Sequence, residues 1–172
     1  MNLLEAKNLY KSFGNINAVS DISISLNVGE VIGFLGPNGA GKSTTMKILT
    51  GFLEADSGSI EIKKIDLSKD PINAKSIIGY LPEGAPSYSD MTVKSFLYFV
   101  GKMRGLKDEL LEKRLEIMLK DINLTEVQNQ IIETLSKGYK RRVGIAQALI
   151  HDPDILIFCL LYTSPSPRDK RL

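Results

Sequence analysis

Gly36-Pro37-Asn38-Gly39-Ala40-Gly41-Lys42-Ser43-Thr44 reads as G-x-x-x-x-G-K-[ST], the spacing of a phosphate-cradling loop. Glycines at 36, 39 and 41 let the backbone curl until its N–H groups face inward as an anion nest. Val31-Ile32-Gly33-Phe34-Leu35 precedes it, a short apolar run that predicts a buried parallel strand. Thr45-Met46-Lys47-Ile48-Leu49 follows and reads as helix. A helix N-terminus there adds partial positive charge to the nest. In such a loop Lys42 reaches the β- and γ-phosphates of a nucleotide, and the Ser43 hydroxyl can ligate Mg²⁺.

The chain has 172 residues, a length that suits one domain with a sizeable core. Its net charge of +2 gives no reason to expect nucleic acid as a partner. The single cysteine, Cys159, excludes an internal disulfide and is compatible with a reducing compartment. No signal peptide is visible, and the longest apolar stretch, Ile155 to Tyr162, is too short to span a bilayer. Work at a membrane would therefore need another chain to do the spanning.

Upstream of the loop, residues 3–10 and 21–28 are predicted strands. Ile22 to Leu26 alternates apolar and polar, as in a half-buried antiparallel sheet. Lys11-Ser12-Phe13-Gly14-Asn15 is a predicted turn whose Phe13 could stack on a base or pack under a hairpin. Asn27-Val28-Gly29-Glu30 is a second turn. Downstream, Gly51 is a plausible helix stop and Asp56-Ser57-Gly58 a turn. Ser59–Ile62 and Ile77–Leu81 read as strands, with a short helix or irregular stretch from Asp70. Two prolines make 82–86 a loop.

The period becomes helical from Met91. Val93, Phe96, Leu97, Val100 and Met103 share one face, and Gly105 ends that helix. A second helix presents Leu111, Leu115, Met118, Leu119 and Ile122. A third opens at Ser136, a good N-cap, and runs to about Ile150. Lys137, Lys140, Arg141 and Arg142 crowd its first turns against the helix dipole, either as a solvated basic face or as a second phosphate site. His151 reads as a favourable C-terminal cap. Asp154-Ile155-Leu156-Ile157-Phe158 is a last apolar strand.

Three stretches together resemble the ATP-binding subunit of ABC transporters, over residues 1–158. GPNGAGKST matches that family's Walker A. Gly79-Tyr80-Leu81-Pro82-Glu83 sits where the family has its Q-loop. Leu135-Ser136-Lys137-Gly138-Tyr139 sits at the signature, usually LSGGQ. The likeness is greatest to subunits serving ABC-2 type exporters, including the gliding-motility type. The fold it implies is α/β: a P-loop NTPase core, an N-terminal antiparallel β-subdomain, an inserted α-helical subdomain at about 91–135, and a C-terminal part that is missing.

The resemblance implies ATP and Mg²⁺ as cofactors. It puts Phe13 at the adenine-stacking position and Glu83 beside the metal with Ser43. It assigns Gly36, Pro37, Asn38, Gly39, Ala40, Gly41, Lys42, Ser43 and Thr44 to the phosphates. Residues 135–139 would meet the γ-phosphate of a second ATP-binding subunit in a head-to-tail dimer. It further implies a membrane permease as partner, contacted around Glu83, Ala85, Pro86 and Tyr88, and a place on the cytoplasmic face of the cell membrane. A GTPase is disfavoured by the lack of an Asn-Lys-x-Asp motif, and a non-hydrolysing nucleotide-binding module and a soluble ABC protein acting on ribosomes or DNA are the alternatives.

The chain departs from the family at its end. The family has a Walker B Asp and a catalytic Glu where Cys159 and Leu160 stand, and its switch histidine has no counterpart. Residues 159–172 resemble a one-frame translation of a sequencing-library adapter. They are read as a non-native tail, so the chain as it stands is expected to bind ATP without hydrolysing it.

Overall fold

A computed structural model describes residues 2–83 and 88–159. The tail from Leu160 onward lies outside these residues, as do Gly84, Ala85, Pro86 and Ser87, two of which were expected at a permease contact. Strands β1 (Asn2–Phe13) and β2 (Ile16–Asn27) form an antiparallel hairpin. Its turn is only Gly14-Asn15, with Gly14 at φ +57°. The expected five-residue turn is therefore shorter, and Phe13 ends a strand, paired with Ile16. A two-residue turn suffices because glycine takes the left-handed conformation without steric cost.

Helix α1 (Lys42–Leu49) leads to β3 (Ser57–Ile62), which pairs with β1, and to the short β4 (Ile65–Asp66). The sheet order is β2-β1-β3-β4. Gly58, expected in a turn, lies inside β3. A β-carbon on it would stand 2.6 Å from the carbonyl oxygens of Lys7 and Asn8, so its role is close approach to β1. Helix α2 (Pro71–Ser76) is capped by Asp70, whose carboxylate accepts from the Asn73 N–H.

Strand β5 (Ile78–Leu81) pairs in parallel with β6 (Ile155–Phe158), in register from Ile78–Ile155 to Leu81–Phe158. The crossover between them holds α3 (Val93–Met103), α4 (Asp108–Asp121) and α5 (Lys137–Leu149). Two apolar clusters result. One joins the inner face of the antiparallel sheet to α1, α2, β5 and β6. The other joins α3, α4 and α5 around Phe96, Leu97, Leu111 and Val143. Full burial of side chains of this size stabilises by about 1.5–3 kcal/mol each. The helical stripes hold except at Met103, which is 72% exposed because α3 ends there.

The strand expected before the glycine-rich loop does not form. Val31–Leu35 is irregular, not a buried strand, and Val31 and Leu35 are each 94% exposed. A parallel strand needs a ladder partner and cover on both faces. Among the described residues β6 pairs only with β5. Val31, Ile32 and Phe34 instead face Ile155–Phe158 across an apolar groove of about 440 Å³. The run lies near β6 without bonding to it.

Candidate functional site

The glycine-rich loop is shaped by its own backbone. Gly36, Gly39 and Gly41 take φ of +154°, +84° and +80°. The Ala40 N–H returns to the Pro37 carbonyl at 3.3 Å, closing a turn. Gly41 is the N-cap of α1 in the left-handed conformation, and a β-carbon there would stand 2.1 Å from the Ala18 carbonyl oxygen. Only glycine lets the loop rest against β2 so closely. The Gly41 carbonyl accepts from the Thr45 N–H at 2.8 Å and the Thr45 hydroxyl at 2.9 Å.

Lys42 folds back over this loop. Its Nζ donates to the Gly36 carbonyl at 2.7 Å and the Pro37 carbonyl at 2.6 Å. The ammonium is thus held above the nest by neutral oxygens, and no carboxylate pairs with it among the described residues. Pro37, Asn38, Gly39 and Ala40 are exposed, as is Ser43, whose hydroxyl forms no hydrogen bond among the described residues. Thr44 is half-buried on the first turn of α1.

Phe13 is near the loop in the register of the hairpin. Val19, which a side chain on Gly41 would touch, pairs with Lys11, and Phe13 lies two residues further on, about 7 Å at ordinary strand rise. The ring is 50% exposed, so it does not pack under the hairpin, and the Lys11 Nζ sits 5.8 Å from its centroid. A flat, accessible ring beside a phosphate nest is suited to stacking on a base.

Glu83 and Cys159 converge on Tyr80. Burial first, then the charges of Cys159 and Glu83, hold the Tyr80 phenol above its ordinary value. The Cys159 N–H donates to the Leu81 carbonyl at 2.9 Å, so residue 159 continues directly from β6 alongside β5. No group of three His, Cys, Asp or Glu side chains is placed to cage a metal among the described residues. Ser43 and Glu83, the residues expected at a Mg²⁺, are both exposed.

The 135–139 stretch stands apart, at the start of α5. Leu135 is buried and Ser136 is the N-cap, its Oγ accepting from the Tyr139 N–H at 3.4 Å. Lys137 and Gly138 are exposed. Arg142 lies 5.2 Å from the Tyr139 ring and donates to the Asn123 carbonyl. The helix is locked onto β5 by two glycines. A β-carbon on Gly79 would meet the Ala148 carbonyl at 2.2 Å, and one on Gly144 would meet Leu81 at 2.6 Å.

His151 does not cap α5. Its Nε2 lies 3.1 Å from the Ile78 carbonyl and donates to it, while Nδ1 is buried without a partner. Burial, then the Arg104 charge, hold its pKa below the ordinary value, so the neutral ring is favoured. The cap comes from Arg114 on α4, which donates to the Ile150 carbonyl at 3.1 Å and the Leu149 carbonyl at 2.8 Å. No sequence signal in α5 itself could have revealed a cap from 35 residues away.

Residues 19–158 match the family described as ABC transporter. The chain is 42% identical over 155 residues to the linearmycin resistance ATP-binding protein LnrL of Bacillus subtilis, covering 90% of this chain and 50% of that one. It is 38% identical over 144 residues to the ABC transporter ATP-binding protein NatA of the same organism, covering 83% and 58%. It thus spans about half the length of these relatives. A solved structure described as the ATP binding subunit of an ABC transporter superposes with a TM-score of 0.83 at 31% identity, covering 91% of this chain and 65% of that one. The hairpin, the glycine-rich loop and the helical crossover are therefore those of a known architecture, and the chain belongs to the ABC transporter family, among its ATP-binding subunits.

Proposed function

We propose that the parent protein is the ATP-binding subunit of an ABC-2 type exporter, driving transport through a separate membrane permease. The observation that carries this is the loop at 36–44, with its glycines curled, Lys42 poised over it and Phe13 beside it. In this reading the loop N–H groups and Lys42 hold the β- and γ-phosphates, and Phe13 stacks on adenine. Ser43 and Glu83 hold Mg²⁺, which when bound neutralises charge on the phosphates. Ser136 and Gly138, flanked by Leu135, Lys137 and Tyr139, offer the free N–H groups of α5 to the nucleotide of a second subunit. No helix among the described residues is long and apolar enough to cross a membrane.

Lys42 is the test. Lys42→Ala removes a cation that can make charge-assisted bonds to phosphate. ATP affinity is expected to fall at least about tenfold, about 1.4 kcal/mol. Calorimetric titration of both proteins with ATP decides it, and equal affinities would remove the basis of this assignment.

A further inference from the structure

Phe13 stands at the last position of β1, beyond Tyr10, where the pairing of β1 with β3 ends opposite Ser57. On its other side it pairs with Ile16 next to the two-residue turn. The register between β1 and β2 shifts twice just before it, between Leu9 and Lys11 and between Lys11 and Ser12. An exposed strand end with an interrupted ladder frays easily, and a fraying end gives a stacking ring no fixed plane. One residue from outside the hairpin holds this end. Asp56, which precedes β3, grips three consecutive residues of β1. Its N–H donates to the Tyr10 carbonyl at 2.8 Å. One carboxylate oxygen accepts from the Lys11 Nζ at 2.6 Å, and the other accepts from the Ser12 N–H at 2.7 Å. The Ser12 hydroxyl in turn donates to the Asn17 carboxamide oxygen at 3.0 Å, which ties the gripped segment across to β2.

Lys11 carries the grip to the ring. Its ammonium stands over Phe13 at 5.8 Å from the centroid, within cation–π reach. The Lys11 side chain is only 15% exposed, so Asp56 fixes an ammonium that has little freedom to wander. With the ammonium over one face of the ring, a base is left the other. The Lys11 ammonium, then the Ser12 N–H, hold the Asp56 carboxyl below its ordinary value, so it is ionised and accepting at neutral pH. We propose that Asp56 is a positioning residue for the nucleotide base: through Lys11 and the Ser12 N–H it fixes the plane in which Phe13 stacks. This rests on the stacking role of Phe13 and names what holds the ring in place.

The test is made on the soluble fraction of the whole chain. Calorimetry with Mg-ATP and, separately, with inorganic triphosphate divides base binding from phosphate binding. Asp56→Ala should lower ATP affinity at least about fivefold, the lower end of what base–aromatic stacking contributes. Its affinity for inorganic triphosphate should stay that of the parent, because the phosphate loop alone holds that probe. Added to Phe13→Ala, Asp56→Ala should cost nothing further, since the two residues act as one unit. The chain has no tryptophan, so Phe13→Trp places a single indole at the stacking position. Its fluorescence anisotropy without nucleotide reads the freedom of the ring and should fall when Asp56→Ala is added. Asp56→Asn keeps an acceptor for the Ser12 N–H and should recover part of both losses. It also carries the same measurements if Asp56→Ala does not fold. Unchanged ATP affinity and anisotropy in the Asp56 variants, with Phe13→Ala weakened, would overturn this proposal alone. So would an equal loss for ATP and inorganic triphosphate, which would make Asp56 a support of the fold rather than of the ring. Unaltered ATP affinity in Phe13→Ala would overturn the stacking role and this proposal with it.

Discussion

At the residue scale, exposure separates two readings of Phe13 that its sequence context left open. A ring packed under the hairpin would be covered, yet this one is half exposed at a strand end. Phe13→Ala is therefore expected to weaken ATP binding by about 1–3 kcal/mol, the range for base–aromatic stacking. Phe13→Tyr should be nearly neutral. Normal ATP binding by Phe13→Ala combined with early melting would restore the core role. His151 makes a different prediction, about pH. Its folded pKa lies below the unfolded value of 6.5 because burial and Arg104 disfavour the imidazolium. The unfolded chain then binds the proton more readily, so stability is intact above pH 6.5 and falls as pH drops below it. Asp66, held down to about 2 mainly by the Ser68 hydroxyl, loses its contribution only far lower, between 3.8 and that value. The window just below neutrality therefore belongs to the histidine. Urea unfolding at about pH 7.5 and about pH 5.5 should show a loss that is smaller in His151→Gln. Equal losses in the two proteins would exclude His151 as the source.

At the scale of elements, the legible parts of the fold were those written in a local period. The strands flanking Gly14, the helical stripes of α3 and α4 and the Ser136 cap each rest on residues a few positions apart. What the sequence hid was set by distant neighbours. Val31–Leu35 has the composition of a buried strand, but composition supplies no ladder partner, and none pairs with it among the described residues. Gly58 resembles a turn glycine because the β1 carbonyls it must approach lie 50 residues back in the chain. The site divided in the same way. The phosphate loop was legible because its glycines, lysine and hydroxyl are contiguous. The Arg114 cap was not. Arg114 bonds two terminal carbonyls of α5 and lies 3.1 Å from Asp152, whose 82% exposure makes the ion pair the weaker part. Hydrogen bonds to a charged group contribute about 1.5–3 kcal/mol each, so Arg114→Ala is expected to cost about 2 kcal/mol. Arg114→Lys should recover only part, because one ammonium cannot reproduce the guanidinium fork. Denaturant midpoints measure both, and ATP affinity should not move with either variant. A cost within about 0.5 kcal/mol, the ordinary range for surface substitutions, would mean that water serves these carbonyls as well as the arginine does.

At the scale of the whole molecule, binding and turnover come apart. The groups proposed to bind the chain's own nucleotide lie between Phe13 and Glu83, on or beside the antiparallel sheet, α1 and β5, while 135–139 are proposed to serve the nucleotide of a second subunit. Turnover needs more: charge placed around Mg²⁺ and an oriented water. At the mouth of β6, Cys159 continues the strand beside Leu81, where the family places a metal-supporting carboxylate. Leu160, expected from the resemblance at the general-base position, cannot accept a proton. Glu83, two residues past β5, is a single carboxylate and cannot fill both vacancies. Loss of a general base alone costs about 10²–10⁴-fold in rate. The groove between Val31–Phe34 and β6 adds a structural cost. With Leu156 at 43% and Phe158 at 37% exposure, and β5 its one strand neighbour among the described residues, β6 presents an edge that invites self-association. We therefore expect the 172-residue chain to be poorly soluble, and its soluble fraction to bind ATP without turning it over. A chimera with Asp at 159 and Glu at 160, followed by the corresponding C-terminal segment of a relative, should recover hydrolysis. It should also disperse, because the added segment can cover the groove. Phosphate release at saturating Mg-ATP measures the first expectation, with Lys42→Ala run alongside, and light scattering measures the second. Turnover near about one per second by the original chain, abolished by Lys42→Ala, would mean that the catalytic carboxylates lie elsewhere, since that is within the ordinary range of enzymes.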